Sequence, residues 1–164
     1  MDTAKGEWFE EQLRGINESD CTFISKSTWD YNCIGFIVGD YRWWNPEERQ
    51  EHHWPDGVPR NFKIKSVVQA LASVHFQVSP DQSASPEPGF QKIVLFHKGG
   101  NFTHVALVKS NSVWHSKLGE YEDLEHPLPP PPRRNKLEGY GLIYKYLRRE
   151  DRFAGPPLPD EYRL

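Results

Sequence analysis

Lys92-Ile93-Val94-Leu95-Phe96-His97-Lys98-Gly99-Gly100-Asn101-Phe102-Thr103-His104-Val105-Ala106-Leu107-Val108 decides how this chain is read. Two apolar runs, Lys92–Phe96 and Phe102–Val108, flank Lys98-Gly99-Gly100. Both are rich in β-branched and aromatic residues, and the glycines supply the turn, so the segment predicts an antiparallel hairpin. Asn111-Ser112 makes the next turn and Val113–Leu118 the third strand of a meander. Gly141–Leu147 adds a fourth, and the weak alternation of Cys21–Ser25 a short further one. Upstream, the apolar spacing is helical. Trp8, Phe9 and Leu13 place a short amphipathic helix over Glu7–Arg14, and positions 64, 67, 68, 71 and 74 place another over Ile64–Phe76. Helices first and an antiparallel sheet after them make an α+β pattern, with helices packed on a four- to five-stranded sheet.

At 164 residues the chain is long enough for one domain with its own core. Composition divides it into an N-terminal extension over 1–28, a domain over 29–148 and a Pro-rich tail over 149–164 that should lie loosely on the surface. The formal net charge of −3 gives no basic field for nucleic acid. No window approaches the ~18 apolar residues of a membrane span. The polar start, Met1–Glu7, carries no export signal, so the reading is cytoplasmic, with secretion as an effector left open. The two cysteines, Cys21 and Cys33, do not make a disulfide framework. One bridge between them is conceivable; a reduced chain is the simpler reading. Trp43, Trp44 and Trp54, interleaved with Pro46, Pro55 and Pro59, read as an ordered loop. His52-His53 lacks the spacing of a metal site, and no metal or other cofactor is expected. The proline run 127–132 reads as a stiff connector, with a polyproline ligand as the alternative.

The chemistry is carried by Tyr31-Asn32-Cys33-Ile34-Gly35-Phe36-Ile37-Val38-Gly39-Asp40. Asn32 is a plausible N-cap, which puts Cys33 in the first turn of a helix closed by Gly39-Asp40. Free backbone N–H groups there favour a thiolate. The bland alternative is a buried cysteine acting as a small hydrophobe. A thiol enzyme also needs an imidazole and a polar group to orient it. His104, on a strand after the Gly-Gly turn, meets the second need. His115 or Ser116, one strand later, meets the third. Strand alternation sends those two to opposite faces, so only one can serve. Trp114 on the Cys33 side of the sheet would favour Ser116, and Trp114 on the other face His115; the aromatic loop favours the first.

Helix-borne Cys33, then His104-Val105-Ala106-Leu107-Val108, then a polar residue on the next strand, resembles the permuted papain-like arrangement of the NlpC-type endopeptidases. A closer likeness is to a poorly characterised bacterial family. It runs over about residues 29–147 through Asn32-Cys33-Ile34-Gly35, Trp43-Trp44, Trp54-Pro55, Thr103-His104-Val105-Ala106, Trp114-His115-Ser116-Lys117-Leu118-Gly119, Leu124-Glu125-His126 and Tyr140-Gly141. The resemblance implies a papain-like fold and makes Ser116 and Lys117 site candidates. Asn32 stands where NlpC-type enzymes usually have Asp.

Together these imply a Cys33/His104 hydrolase or transferase acting on an amide, isopeptide or acyl bond of a protein or peptide-like substrate. Trp43, Trp44, Trp54, Lys117 and Asn32 would bind the substrate. The alternatives are a binding module without turnover, and an effector or toxin that deamidates a protein glutamine. Neither nucleic acid nor membrane is expected as a partner.

Overall fold

The computed structural model describes residues 9, 11–47, 52–129, 135–137 and 139–164. An antiparallel sheet of eight strands dominates. In chain order the strands are β1 (Thr22–Phe23), β4 (Gln77–Val78), β5 (Phe90–Lys98), β6 (Asn101–Val108), β7 (Val113–Lys117), β8 (Asp123–Pro127), β9 (Lys136–Leu137) and β10 (Gly141–Glu150). Across the sheet they run β1-β8-β7-β6-β5-β10-β4, with β9 on β10. A separate parallel pair joins β2 (Trp43–Trp44) to β3 (His52–His53). Among the described residues the α-helices are α1 (Cys33–Val38) and α2 (Ile64–Ala72), with helical backbone also at Phe9, Glu11 and Gln12.

This corrects the expected fold class. The molecule is mostly antiparallel β, with two short helices against a large sheet. It is not helices packed on a four- to five-stranded sheet in the papain-like manner. The meander strands lie where the apolar alternation put them. β1 falls within the short strand expected over Cys21–Ser25. The additional ones are β4, β8 and β9. Two of these have two residues, too few to show a period, and β8 reads Asp-Leu-Glu-His-Pro, which strand propensity disfavours. Pairing along all five residues of β7 overrides that preference. The Trp/Pro loop likewise contains the parallel pair β2–β3. Residues 130–132 of the proline run lie outside the described residues, as do Glu7, Trp8 and Glu10 of the first expected helix.

Alternation gives the sheet two faces, each with its own apolar cluster. Ile93, Leu95, Val105 and Leu147 pack with Ile34, Ile37, Val67 and Leu71 of the two helices. Val94, Phe96, Ala106, Val108 and Trp114 pack with Phe9, Leu13, Leu124 and Tyr140. Each fully buried side chain of this size contributes about 1.5–3 kcal/mol. The amphipathic α2 buries Ile64, Val67, Ala70 and Leu71. Its start is clipped to the β5–β6 turn, where the Ile64 N–H donates to the Gly100 carbonyl at 2.9 Å.

The C-terminal tail is not loose. β10 extends to Glu150, the Leu164 N–H donates to the Ile24 carbonyl at 3.1 Å, and Ser25 bridges to Arg163. Gly155 crosses Gly39 so closely that a Cβ on either would lie 2.8 Å or less from the other's backbone. Among the described residues no helix is long and apolar enough to cross a membrane.

Candidate functional site

α1 is held at both ends. Asn32 is the N-cap: its Oδ1 accepts from the Gly35 N–H at 3.1 Å and from the Trp44 N–H at 3.2 Å, and its Nδ2 donates to the Trp44 carbonyl at 2.7 Å. One side chain therefore caps the helix and ties the Trp43–Trp44 strand to it. Gly35 lets the chain recross the helix, because a Cβ there would lie 1.8 Å from the Arg42 carbonyl oxygen. Gly39 ends α1 in the left-handed region at φ 82°. Arg149 donates to the carbonyls of Ile37 and Val38 at 3.2 and 2.9 Å, satisfying the last turn. The helix stops at Val38, so Cys33 sits on a short, firmly anchored turn.

His104 is buried on the Trp114 face of the sheet. Its ring stacks on Tyr140 at 4.0 Å and 14°, beside Phe96. Its Nε2 lies 2.9 Å from Ser116 Oγ, which lies 2.7 Å from His126 Nε2; His126 Nδ1 lies 2.8 Å from the Pro127 carbonyl oxygen. Thus it is Ser116 that meets the His104 ring. The deciding face is the one that His104 itself occupies, shared with Trp114 and Ser116, rather than the face under α1.

Cys33 and His104 line one pocket of about 420 Å³, with Asn32, Trp43, Phe102 and Tyr140. Cys33 belongs to the α1 cluster and His104 packs among residues of the opposite one. Both open onto the pocket at the end of β6 where pairing with β7 has stopped. That ladder runs only through Leu107–His115 and Val108–Trp114. Nearer the pocket, the Val105 backbone favours the charged form of Cys33.

The electrostatics correct one expectation. Burial pushes the Cys33 thiol up to about 11, although the Val105 N–H, the Lys117 charge and the first N–H groups of α1 pull it down. Burial, with His126 adding to it, lowers His104 to about 3. The resting pair is therefore a thiol and a neutral imidazole, not the thiolate that the helix start suggested. Desolvation outweighs the few N–H groups of a six-residue helix.

A family model described as "Domain of unknown function (DUF7689)" matches residues 22–148. The chain belongs to that family. No curated protein and no solved structure matches it.

The DUF7689 span contains Cys33, His104, Ser116, His126 and Tyr140, and leaves out the tail over Asp151–Leu164. Within it, the other candidates scatter. His115 faces α1 rather than His104. Its Nε2 lies 2.6 Å from Asp123 Oδ1, and its ring packs against Phe36 at 4.4 Å. Tyr31 donates to the other Asp123 oxygen at 3.0 Å. Burial works against that carboxylate's charge, yet the bonds from His115, Ser25 and Tyr31 hold its pKa below the ordinary value.

Lys117 does not line the pocket. It is buried over the Tyr31 ring and donates to the carbonyls of Thr28 (3.1 Å), Tyr121 (2.6 Å) and Gly119, and burial brings it down to about 8. Its effect on the pocket is to hold the rim residues Gly119 and Tyr121. Of the three tryptophans, Trp43 lines the pocket and packs, tilted by 33°, against the exposed Trp29 at 5.3 Å. Trp44 and Trp54 are core residues, bonded to the Asp40 carboxylate and the Pro59 carbonyl. Among the described residues no cluster of three or more His, Cys, Asp or Glu is arranged to hold a metal. Tyr140 had only the Tyr-Gly block as its signal, and Asp123 had none.

Proposed function

We propose that this domain is a thiol hydrolase or transferase acting on an amide, isopeptide or acyl bond of a peptide-like substrate, with Cys33 as nucleophile and His104 as base. The likeness to NlpC-type enzymes then rests on the order of the site residues and not on architecture. The observation that carries the reading is that Cys33 and His104 line one pocket while Nε2 of His104 is tied to a buried hydroxyl. In the reaction, the thiol proton passes to the His104 ring as sulfur attacks the carbonyl. The backbone N–H of Cys33 stabilises the oxyanion. The imidazolium returns the proton to the leaving amine, and water or an acceptor resolves the thioester. The same steps on a protein glutamine carboxamide would release ammonia and amount to deamidation.

A binding module without turnover is the second reading, favoured by the neutral resting state of both groups. The two readings separate on acylation by p-nitrophenyl acetate, followed by peptide mass spectrometry. The enzyme reading expects an acetyl group on Cys33 of the folded protein, absent in Cys33→Ser and much slower in His104→Gln. Acylation of Cys33 only after denaturation would leave the binding module standing.

A further inference from the structure

We propose that His126 is a positioning residue that sets the tautomer of His104 through Ser116; the proposal rests on the Cys33/His104 reading for its catalytic meaning only. The argument starts at the far end of the chain of bonds. The Pro127 carbonyl can only accept, so His126 Nδ1, 2.8 Å away, must carry a proton. His126 is 1% exposed, and burial lowers it to about 4, so it is neutral at pH 7 and its Nε2 is a bare acceptor. The Ser116 hydroxyl, 2.7 Å from that nitrogen, therefore gives its single proton to His126. It has only lone pairs left for His104, so His104 Nε2, 2.9 Å away, carries the proton of that bond. A neutral imidazole has one N–H, which leaves His104 Nδ1 bare: the state a general base requires. Direction runs through the whole series, from one carbonyl that cannot donate to one ring nitrogen free to accept.

No carboxylate is involved. An aspartate in place of Ser116 would also hold Nε2–H, but it would favour a protonated His104 as well. The hydroxyl and second imidazole select the tautomer without adding a charge.

The tautomer can be read directly from ring ¹⁵N shifts of ¹⁵N-histidine-labelled protein, where bare and protonated nitrogens are well separated. Native protein is expected to show His104 bare at Nδ1 and protonated at Nε2, with His126 the reverse. His126→Phe removes the acceptor, so the Ser116 hydroxyl turns to His104 Nε2 and the His104 pattern inverts. Acylation of Cys33 should then slow about a hundredfold. His126→Gln, whose carbonyl oxygen can accept from Ser116, should restore the native pattern and much of the rate. A native His104 protonated at Nδ1 would overturn the proposal, and so would a His126→Phe protein whose His104 pattern is unchanged. Should His126→Phe fail to fold, the native and His126→Gln spectra decide alone. The two readings part cleanly: the expected native tautomers without any acylation of Cys33 would remove the thiol enzyme and leave the relay standing. Acylation with Nδ1 protonated would remove only the relay.

Discussion

Two histidine clusters back onto each other through the same strand. On one face, His104, Ser116 and His126 form an uncharged series ending on a backbone carbonyl. On the other, one residue away, His115 meets the Asp123 carboxylate, which Tyr31 also serves. The first has no carboxylate to favour a charged ring, and burial outweighs the pull of the Pro127 carbonyl on His126, so its histidines stay neutral. The second surrounds a carboxylate with donors and keeps it charged. On the proposed reading, the neutral series would hold a base ready, whereas the carboxylate anchor holds the fold together. Charge, rather than the presence of histidine, is what distinguishes the two clusters.

The largest effect expected from breaking this contrast is kinetic. His104→Gln should slow acylation of Cys33 by roughly 10²–10⁴-fold, the usual contribution of a positioned base, while His115→Gln leaves it within about threefold. Stopped-flow release of p-nitrophenolate measures both. Equal losses would mean that the two faces are not functionally distinct.

Next is stability. Asp123→Ala leaves both the Tyr31 hydroxyl and the His115 ring without their buried acceptor and should cost about 2–6 kcal/mol in urea unfolding at pH 7, from two unsatisfied groups at ~1–3 kcal/mol each. Ser116→Ala, which strands only neutral nitrogens, should cost about 1–3 kcal/mol. A Ser116 variant less stable than the Asp123 variant would reverse the assignment of support and chemistry.

The clusters should also separate by pH. His104 and His126 lie below their ordinary value of 6.5, at about 3 and about 4. The unfolded chain therefore binds protons that the folded chain refuses. Stability is full above pH 6.5 and falls as pH drops towards 4, by up to about 1.4 kcal/mol per unit for each group. The Asp123 contribution is lost only lower, as pH falls below its ordinary 3.8. Urea midpoints across pH 7 to 4 should fall less steeply in His126→Gln than in the native protein. Parallel slopes would show that His126 titrates normally.

The smallest effect concerns the pocket rim. Trp29 is 69% exposed, and its ring packs against Trp43 of the pocket. Trp29→Ala should change stability by under about 1 kcal/mol while altering the KM of a peptide-like substrate more than its kcat.

Local chemistry was legible where it was local. Asn32, Cys33 and Gly39 mark a cap, a first helical residue and a left-handed stop within one short run, and the helix has those bounds. The hairpin around Gly99-Gly100 and the strand after Asn111-Ser112 also follow from neighbouring residues. The size of the sheet was not legible, because the two-residue strands β4 and β9 have no period and β8 is paired by its neighbour against its own propensity. Nor were the roles of Trp44, Trp54 and Lys117, since an aromatic loop and a lysine look alike at a groove and in a core. Packing settles that, with the indole N–H groups and the ammonium taken up by Asp40 and by carbonyls.

The sequence by itself determined which residues could do chemistry here: one capped cysteine, a strand histidine, and His115-Ser116 pointing opposite ways. Only the tertiary structure decided which of that pair meets His104, because a strand's alternation fixes relative faces and not which face a distant strand presents. It also decided the protonation states. A helix start and a lone imidazole each have an ordinary tendency, but desolvation is a property of everything packed around them. Here it is large enough to turn the expected thiolate into a thiol and to leave the His104 ring neutral on the same pocket.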